Sequence, residues 1–405
     1  MNITDSSAIR PCTSCQMCAA VCPHEAIAIR LDDDGFYRPR VDEARCIDCN
    51  LCTKVCYRFD PAPRRTATPE LEKIPLLAAT AQDKTLLDET TSGGIADLLA
   101  RELIAEGYTC IGVRYADEDC RAEHVIAKTA EECTAFRGSK YIQSYSLPAF
   151  RHLVSHCREE RFAVFGTPCQ IYAVARFLEL RRLRDRCVLV DLFCHGCPSL
   201  HVWTKYSQKV KQLIRKPHFD RVDFRSKVKG WGNFYVVVVV VDGIKAFISS
   251  PRKDEFYTLF FSDQVLNEAC STCIARSTLS YADIRLGDFW GRKYATDMQG
   301  VSAVAAVTRK GQELMETIRP ALSRCDRQEW ETFLPWQSYG RDYHPDHTLR
   351  RTMLDLLKTP SVPLRSAVKA FYRHQTMPQR LKRFAKQMLF YFPPKWVAII
   401  KSRIG

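Results

Sequence analysis

The sequence predicts a composite chain: a small α+β module organised by two repeated cysteine runs, an α/β domain with a mixed sheet, and a basic, helical C-terminal region. Three observations carry that reading. One cysteine spacing occurs twice within the first 56 residues, strand and helix patterns alternate from Leu76 onward, and no acidic residue follows Asp355. The resulting boundaries are 1–60 for the cysteine module, 61–75 for a linker, 76–330 for the α/β domain and 331–405 for the basic region.

Cys12, Cys15, Cys18 and Cys22 read C-x2-C-x2-C-x3-C, with Pro23 next, and Cys46, Cys49, Cys52 and Cys56 repeat the run. This is the spacing of bacterial two-cluster ferredoxins, in which the fourth cysteine of each run ligates the other cluster. Three thiolates on one short loop face three irons of a cube, and a distant fourth closes the remaining corner. One 4Fe–4S cluster is therefore assigned to Cys12, Cys15, Cys18 and Cys56, and the other to Cys46, Cys49, Cys52 and Cys22. A third cysteine at +3 in both copies is not a zinc-ribbon spacing. A disulfide framework would want a secretory signal, and MNITDSSAIR has no apolar stretch to serve as one. The second run departs from the pattern once: Tyr57 stands where Pro23 stands in the first. Proline fixes φ and removes a donor, so its loss is expected to alter potential or oxygen sensitivity more than cluster retention.

Bulk composition narrows the class further. Hydrophobic content of 46% suits a soluble globular chain, and no stretch approaches the ~18 apolar residues of a membrane span. Many free cysteines without a signal predict a reducing cytoplasm. The formal charge is +14, and eleven Lys and Arg follow Asp355, so the excess is concentrated in the tail. A basic protein overall would suggest nucleic acid, whereas a basic tail suggests a docking element.

Asp60 to Pro75 is rich in proline and polar residues and reads as the linker. Beyond it, Thr91-Ser92-Gly93-Gly94 opens a helix over Ile95 to Glu106, stopped by Gly107. A strand over Tyr108 to Tyr115 follows, then a helix over Ala149 to Glu160 and a strand over Phe162 to Phe165. Gln170 to Arg184 reads as helix, Val188 to Phe193 as a buried strand, and Leu200 to Ile214 again as helix. Such alternation implies parallel strands joined by crossovers, with sites outside the strands' carboxyl ends. Cys169 and Cys194 sit at two successive strand ends. Arg221 to Ser250 reads as antiparallel strands, with Tyr235 to Val241 entering a hairpin at Asp242-Gly243. Cys270 and Cys273 then form a C-x2-C that lacks a nearby partner, leaving Cys169 and Cys194 as the available companions.

The segments TSGGIADLLARELIAEG, FRGSKYIQSY, VFGTPCQIYAVARFL, DLFCHGCPSLHVWTKY and CSTCIARSTLSYADIRLGDFWG occur in that order over Thr91 to Gly291. Together they resemble the family of beta subunits of coenzyme F420 hydrogenases and dehydrogenases. The resemblance implies a flavoprotein, usually with FAD, that passes electrons between iron–sulfur clusters and an organic donor or acceptor. It extends the fold expectation to a flavin-binding α/β domain. The substrate it implies is a small molecule, which in some relatives is a deazaflavin coenzyme and in others is not. Carried over by position, Ser92, Gly93 and Gly94 would cradle the flavin phosphate, as unpaired N–H groups at a helix start favour an anion. Ser139, Lys140 and Tyr141 would supply a hydroxyl, a cation and a stacking ring, with a solvated surface lysine as the plain alternative for Lys140. Cys169, Cys194, Cys270 and Cys273 would bind a third 4Fe–4S cluster, with Cys197 competing with Cys194. His195 is either a proton donor to reduced flavin or substrate, or a hydrogen-bond partner of the cluster sulfurs.

The tail places Leu381, Phe384, Met388, Leu389 and Phe392 at helical spacing, with Lys382, Arg383 and Lys386 between them. It reads either as a terminal helix packed on the protein or as an attachment to an anionic membrane surface or acidic partner. The leading expectation is a cytoplasmic iron–sulfur flavoprotein oxidoreductase served by a redox partner protein or ferredoxin. A non-catalytic electron-transfer subunit serving a separate enzyme is the alternative. A basic cluster-containing nucleic-acid-binding protein is a third class, and a terminal amphipathic charge distribution argues against it.

Overall fold

The computed structural model describes the chain apart from residues 65–67, 232–236, 251–253, 390–391, 393–395, 397–398 and 401–405, and apart from the side chains at 68, 69, 382, 386, 387 and 389. Tyr235, at the start of the expected strand to Val241, and the side chains of Lys382, Lys386 and Leu389 in the tail therefore lie outside the described residues.

The N-terminal module is a hairpin of β1 (Ile27–Leu31) and β2 (Tyr37–Val41) flanked by two one-turn helices, Met17–Ala20 and Leu51–Lys54. Each helix begins at the last residue of the second spacer of its cysteine run, Met17 and Leu51. The α/β domain is built on a nine-stranded mixed sheet. Its strands are β3 (Leu76–Ala81), β4 (Thr109–Ala116), β5 (Arg121–Ala127), β6 (Ser144–Tyr145), β7 (Phe162–Phe165), β8 (Cys187–Leu192), β12 (Ile284–Asp288), β13 (Ser302–Ala306) and β14 (Leu322–Gln328). Their order is β14-β3-β13-β12-β8-β7-β4-β5-β6. The central run β12-β8-β7-β4 is parallel and β13 and β5 flank it antiparallel. Helices Ile95–Ala105 and Arg309–Ile318 bury Leu99, Leu103, Leu314 and Ile318 on one face. Helices Leu147–His156 and Pro168–Arg181 cover the other with Phe150, Leu153, Val174 and Phe177. Covering both faces is what lets β7 and residues 187–190 of β8 run continuously apolar. The alternation read from sequence is therefore borne out, with helix ends displaced by a few residues.

Between β8 and β12 the chain makes a separate three-stranded sheet of β9 (Arg221–Asp223), β10 (Val238–Val241) and β11 (Ile244–Ile248), ordered β11-β10-β9. Asp242 and Gly243 join β10 to β11 with φ of 51° and 71°, the paired positive values a tight hairpin turn requires. This sheet shares a core with helices Leu200–Ile214, Glu255–Phe260, His347–Lys358 and Leu364–His374.

The N-terminal module does not stand off on its linker. Met17, Cys18, Val21 and Val55 belong to one buried cluster with Phe150, Ile171 and Phe177 of the α/β domain. The β1–β2 turn is held by Gln143 Nε2 donating to Gly35 O (2.9 Å) and Ser199 Oγ donating to Asp34 O (2.6 Å). The linker itself contains a short helix, Thr68–Leu71, with Leu71 buried. Among the described residues, no helix is long and apolar enough to cross a membrane.

Candidate functional site

Both cysteine runs fold the same way. Ser14 and Gln16 in the first, and Asp48 and Asn50 in the second, take positive φ of 65°, 66°, 52° and 62°. Left-handed residues at alternate positions curl each loop so that its three thiols point to one centre. Each centre is completed by the other run: one hollow is lined by Cys12, Cys15, Cys18 and Cys56. A second is lined by Cys22, Cys46, Cys49 and Cys52. The two linings group the thiols in the same fours as the crossed assignment. Burial pushes the Cys15 and Cys52 thiols up to about 11 and raises Cys18 and Cys56 as well, with neighbouring thiols adding to the effect. Buried thiols of this kind ionise only against a compensating cation, which is the role of cluster irons.

The third group of cysteines gathers at the carboxyl ends of the parallel strands. Cys169 begins the helix Pro168–Arg181, fixed by a capping box of Thr167 and Gln170, and Thr167 Oγ1 lies 3.2 Å from Cys169 Sγ. Cys194 and Cys197 follow β8. Cys270 ends one short 3-10 turn and Cys273 precedes the next. Burial pushes Cys270 up to about 11 and Cys194 up to about 12, and raises Cys169 and Cys197, each with other members of the group as a further cause. All five are free thiols, and they form one electrostatic group that also reaches Cys15 through Cys169. Among the described residues no three His, Cys, Asp or Glu side chains close on a single ion-sized point. A four-iron cube instead holds its ligands apart at its corners, so the donor chemistry fits a cluster.

Two buried guanidinium groups underlie this site. Arg285 on β12 faces Asp191 on β8 in register, donating through Nε at 2.6 Å, and its Nη1 donates to Arg276 O at 3.1 Å. Arg276 in turn donates to the carbonyls of His195 and Cys270. His195 is held from both sides: Nε2 lies 2.8 Å from Asp263 Oδ1 and Nδ1 lies 3.0 Å from Tyr343 Oη. Arg276, Arg285, Asp263 and Tyr343 were not singled out in the sequence, because their partners lie up to about 150 residues away.

The flavin candidates occupy the same rim of the sheet. Gly93 passes so close to β3 and β13 that a Cβ would lie 2.3 Å from Ala79 O and 2.9 Å from Ser302 N. Gly94 caps the following helix at φ 80°. Ser92 Oγ is buried without a hydrogen-bond partner, an orphaned hydroxyl of the kind a bound polar group satisfies. The Ser139 amide donates to Thr91 Oγ1 at 2.8 Å, so the two predicted segments are brought together. Lys140 does not point to open solvent: its Nζ donates to the carbonyls of Ala135, Phe136 and Arg137, and burial pushes it down to about 7. The Tyr141 ring packs edge-on against Tyr257 and Phe260. Lys227, missed in the sequence, places Nζ 2.6 Å from Leu87 O and 2.7 Å from Ser92 O, and burial pushes it down to about 8. No spacing rule would have marked it, since it lies in a stretch that reads as strand. An open groove of about 1050 Å³, lined by Trp290, Arg292, Lys293, Arg327 and Trp336, begins just past the Asp288 end of β12.

Comparison with known proteins adds to this geometry. Residues 11–58 match a 4Fe-4S dicluster domain, and residues 159–323 match the C terminus of the coenzyme F420 hydrogenase/dehydrogenase beta subunit. The chain is 24% identical over 323 residues to an F(420)H(2) dehydrogenase subunit of Methanosarcina mazei, covering 77% of this chain and 86% of that protein. It is 27% identical over 124 residues to the beta subunit of the coenzyme F420 hydrogenase of Methanococcus voltae, covering 29% of this chain and 44% of the relative. A solved chain of the F420-reducing NiFe hydrogenase complex from Methanosarcina barkeri aligns at 18% identity with a TM-score of 0.46, covering 78% of this chain and 92% of that one. The recognition made from the sequence stands. The chain thus joins a stretch matching an iron–sulfur dicluster domain to a stretch similar to the C terminus of F420 hydrogenase/dehydrogenase beta subunits.

Proposed function

We propose, from that pairing, that the chain is an iron–sulfur flavoprotein oxidoreductase passing electrons between its ferredoxin-type clusters and a flavin-bound organic substrate or coenzyme. The observation that carries the reading is the group of five half-buried free cysteines beyond the strand ends, on the rim where the Ser92 hydroxyl is left without a partner. Cys12, Cys15, Cys18 and Cys56 would hold the inner cluster, and Cys22, Cys46, Cys49 and Cys52 the outer one. Cys169, Cys270, Cys273 and one of Cys194 and Cys197 would hold the third. When bound, the clusters would supply single-electron relay and FAD the exchange between one- and two-electron chemistry.

The chain's own residues place and tune these groups. Arg276 and Arg285 set a positive potential beneath the third site, which favours thiolate over thiol. The Ser92 to Gly94 turn opens a helix whose first N–H groups would face a flavin phosphate, and Lys227 lies beside it at Ser92 O. His195, with both ring nitrogens engaged, is suited to holding a proton at Nδ1 or Nε2 under the control of Asp263 and Tyr343. A deazaflavin-type coenzyme of the sort named in the relatives is the leading small-molecule partner. The alternative of a non-catalytic electron-transfer subunit draws support from the same names, which describe subunits.

The deciding experiment is anaerobic purification with iron, sulfide and flavin measured per chain, followed by a test of which donors bleach the flavin. About twelve irons and one flavin support the catalytic reading. The same iron without flavin selects the electron-transfer subunit, and zinc in place of four of the irons removes the third cluster.

Attachment to an anionic surface is the second part of the reading. Met377, Leu381, Phe384 and Met388 form one stripe along helix Met377–Leu389 and are 66%, 64%, 62% and 45% exposed. Of the two alternatives for the tail, the exposed stripe favours docking over packing. Arg383 instead turns back to Gln375 and the Tyr372 ring, securing the helix to its neighbour Leu364–His374. Each basic residue near an acidic leaflet contributes about 1 kcal/mol, so binding to anionic but not zwitterionic vesicles, weakened by salt, is expected. Indifference of the intact protein to anionic vesicles at low salt removes this part of the reading.

A further inference from the structure

The second cysteine run ends Cys56-Tyr57 where the first ends Cys22-Pro23, and the fold gives that difference a purpose. Tyr57 is 2% exposed and lies in the shared core between the N-terminal module and the α/β domain. Its backbone follows Cys56, a ligand of the inner cluster in the crossed assignment. Its hydroxyl accepts the N–H of Ile274 at 2.8 Å, and Ile274 follows Cys273 of the five-cysteine group. Tyr57 thus joins the two sites by one side chain and one hydrogen bond.

The ring between those two ends is fixed on its other sides. The Arg10 guanidinium sits 5.1 Å from its centroid, and Arg10 also donates to the carbonyls of Tyr57 and Asp60. Tyr172 meets the ring edge-on at 5.5 Å and 85°, and its own hydroxyl donates to Asp60 Oδ2 at 2.6 Å. Tyr281 packs against Tyr172 at 4.7 Å. A buried ring with its hydroxyl paired and both neighbours anchored has one rotamer available. A proline at this position would reach neither Ile274 nor Tyr172.

We propose that Tyr57 is a positioning residue that fixes the inner ferredoxin-type cluster against the five-cysteine site and sets the rate of electron exchange between them. The proposal rests on the reading that both sites hold clusters. The step it governs is simple in balance: one electron leaves the reduced inner cluster and arrives at the oxidised third, with no bond made and no proton moved. Dithionite supplies the electron in the test below. Tyr57 itself is neither oxidised nor reduced.

The experiment compares the intact wild type with Tyr57→Phe and Tyr57→Pro, all cluster-loaded. Tyr57→Phe keeps the ring and removes only the bond to Ile274. Tyr57→Pro restores the ferredoxin residue and removes the ring. Iron per chain, the magnetic interaction between reduced clusters in electron paramagnetic resonance, and the rate of internal electron equilibration after rapid mixing with dithionite are measured. The expected result is three clusters in wild type and Tyr57→Phe, with the phenylalanine variant slowed about tenfold, equivalent to about 1.4 kcal/mol of barrier. Tyr57→Pro is expected to be slower still and to lose the magnetic interaction. Unchanged rate and interaction in Tyr57→Phe with all clusters present overturn the positioning role alone. Loss of the inner cluster from Tyr57→Phe also overturns it, since the residue would then serve assembly. Eight irons in the wild type overturn the third-cluster reading together with the proposal, and so separate the two failures.

Discussion

In the first cysteine run three of the four residues between its first three cysteines, Ser14, Gln16 and Met17, are buried; in the second, Ile47 and Asp48 are exposed, as is Cys49. The backbones are nevertheless near copies, with the same pair of left-handed residues and the same one-turn helix after them. What differs is the covering. Gln16 Oε1 accepts the N–H of Ser146 (2.9 Å) and Leu147 (3.0 Å), its Nε2 donates to Ser144 O (3.1 Å), and Ser146 Oγ donates to Cys15 O (3.0 Å). Asn50, at the matching position, makes no side-chain cap, and its Oδ1 has no hydrogen-bond partner. One local motif therefore yields an inner site facing the α/β domain and an outer site facing solvent. Under the proposed function, the outer site would be the port for a redox partner and the inner one the relay.

The largest effects should come from the ligands themselves. Cys56→Ser is expected to abolish or convert the inner cluster and leave the outer one intact, although Cys56 is a sequence neighbour of the outer ligands. Cys22→Ser should do the reverse. Electron paramagnetic resonance of each variant checks both, and loss of the sequence-adjacent cluster instead would break the crossed pairing.

Chelator or oxygen challenge should next separate the two sites by rate. The outer cluster is expected to decay first, by about tenfold or more if reaching the inner one requires a local opening of at least about 1.4 kcal/mol. Equal decay would mean that the burial of the first run protects nothing. A smaller effect is expected from Gln16→Ala, which removes three hydrogen bonds and strands the Ser146 and Leu147 amides. About 2–4 kcal/mol of local stability should be lost, read as faster hydrogen exchange at those two amides. Asn50→Ala, having no bonds to lose, should cost under about 1 kcal/mol. The smallest effect belongs to Ile47, 61% exposed at the outer site. Ile47→Ser should change stability by no more than about 0.5 kcal/mol while weakening exchange with an external ferredoxin, measured as a raised half-saturation concentration.

The fold class and the N-terminal dicluster domain were legible because their signals are local. A cysteine spacing fixes which thiols share a loop, and a period of two or 3.6 residues fixes strand or helix within a few residues of its true end. The Asp242-Gly243 turn and the gathering of Cys169 and Cys194 at strand ends follow from the same short-range rules. Lys140 shows where that reasoning stops. Its spacing is compatible with a cofactor cation, but what its Nζ meets is a set of backbone carbonyls contributed by the turn just before it. Lys227, by contrast, reaches Ser92 O across 135 residues and leaves no periodic trace. The buried pair Arg285 and Asp191 was equally invisible, since a charge in a strand pattern reads as a solvent-facing residue until parallel pairing of β12 and β8 sets the two in register.

The two repeated runs, the alternation that builds the sheet and the concentration of cations after Asp355 are all written in short stretches of chain. Each depends on residues close in the chain. Tertiary structure alone decided that the first run is covered and the second is not, that Tyr57 meets Ile274, and that the stripe from Met377 to Met388 is left exposed. Those outcomes depend on which surfaces the chain brings together over more than 100 residues. Contacts at that separation are fixed by the packing of whole layers, and no local pattern records them.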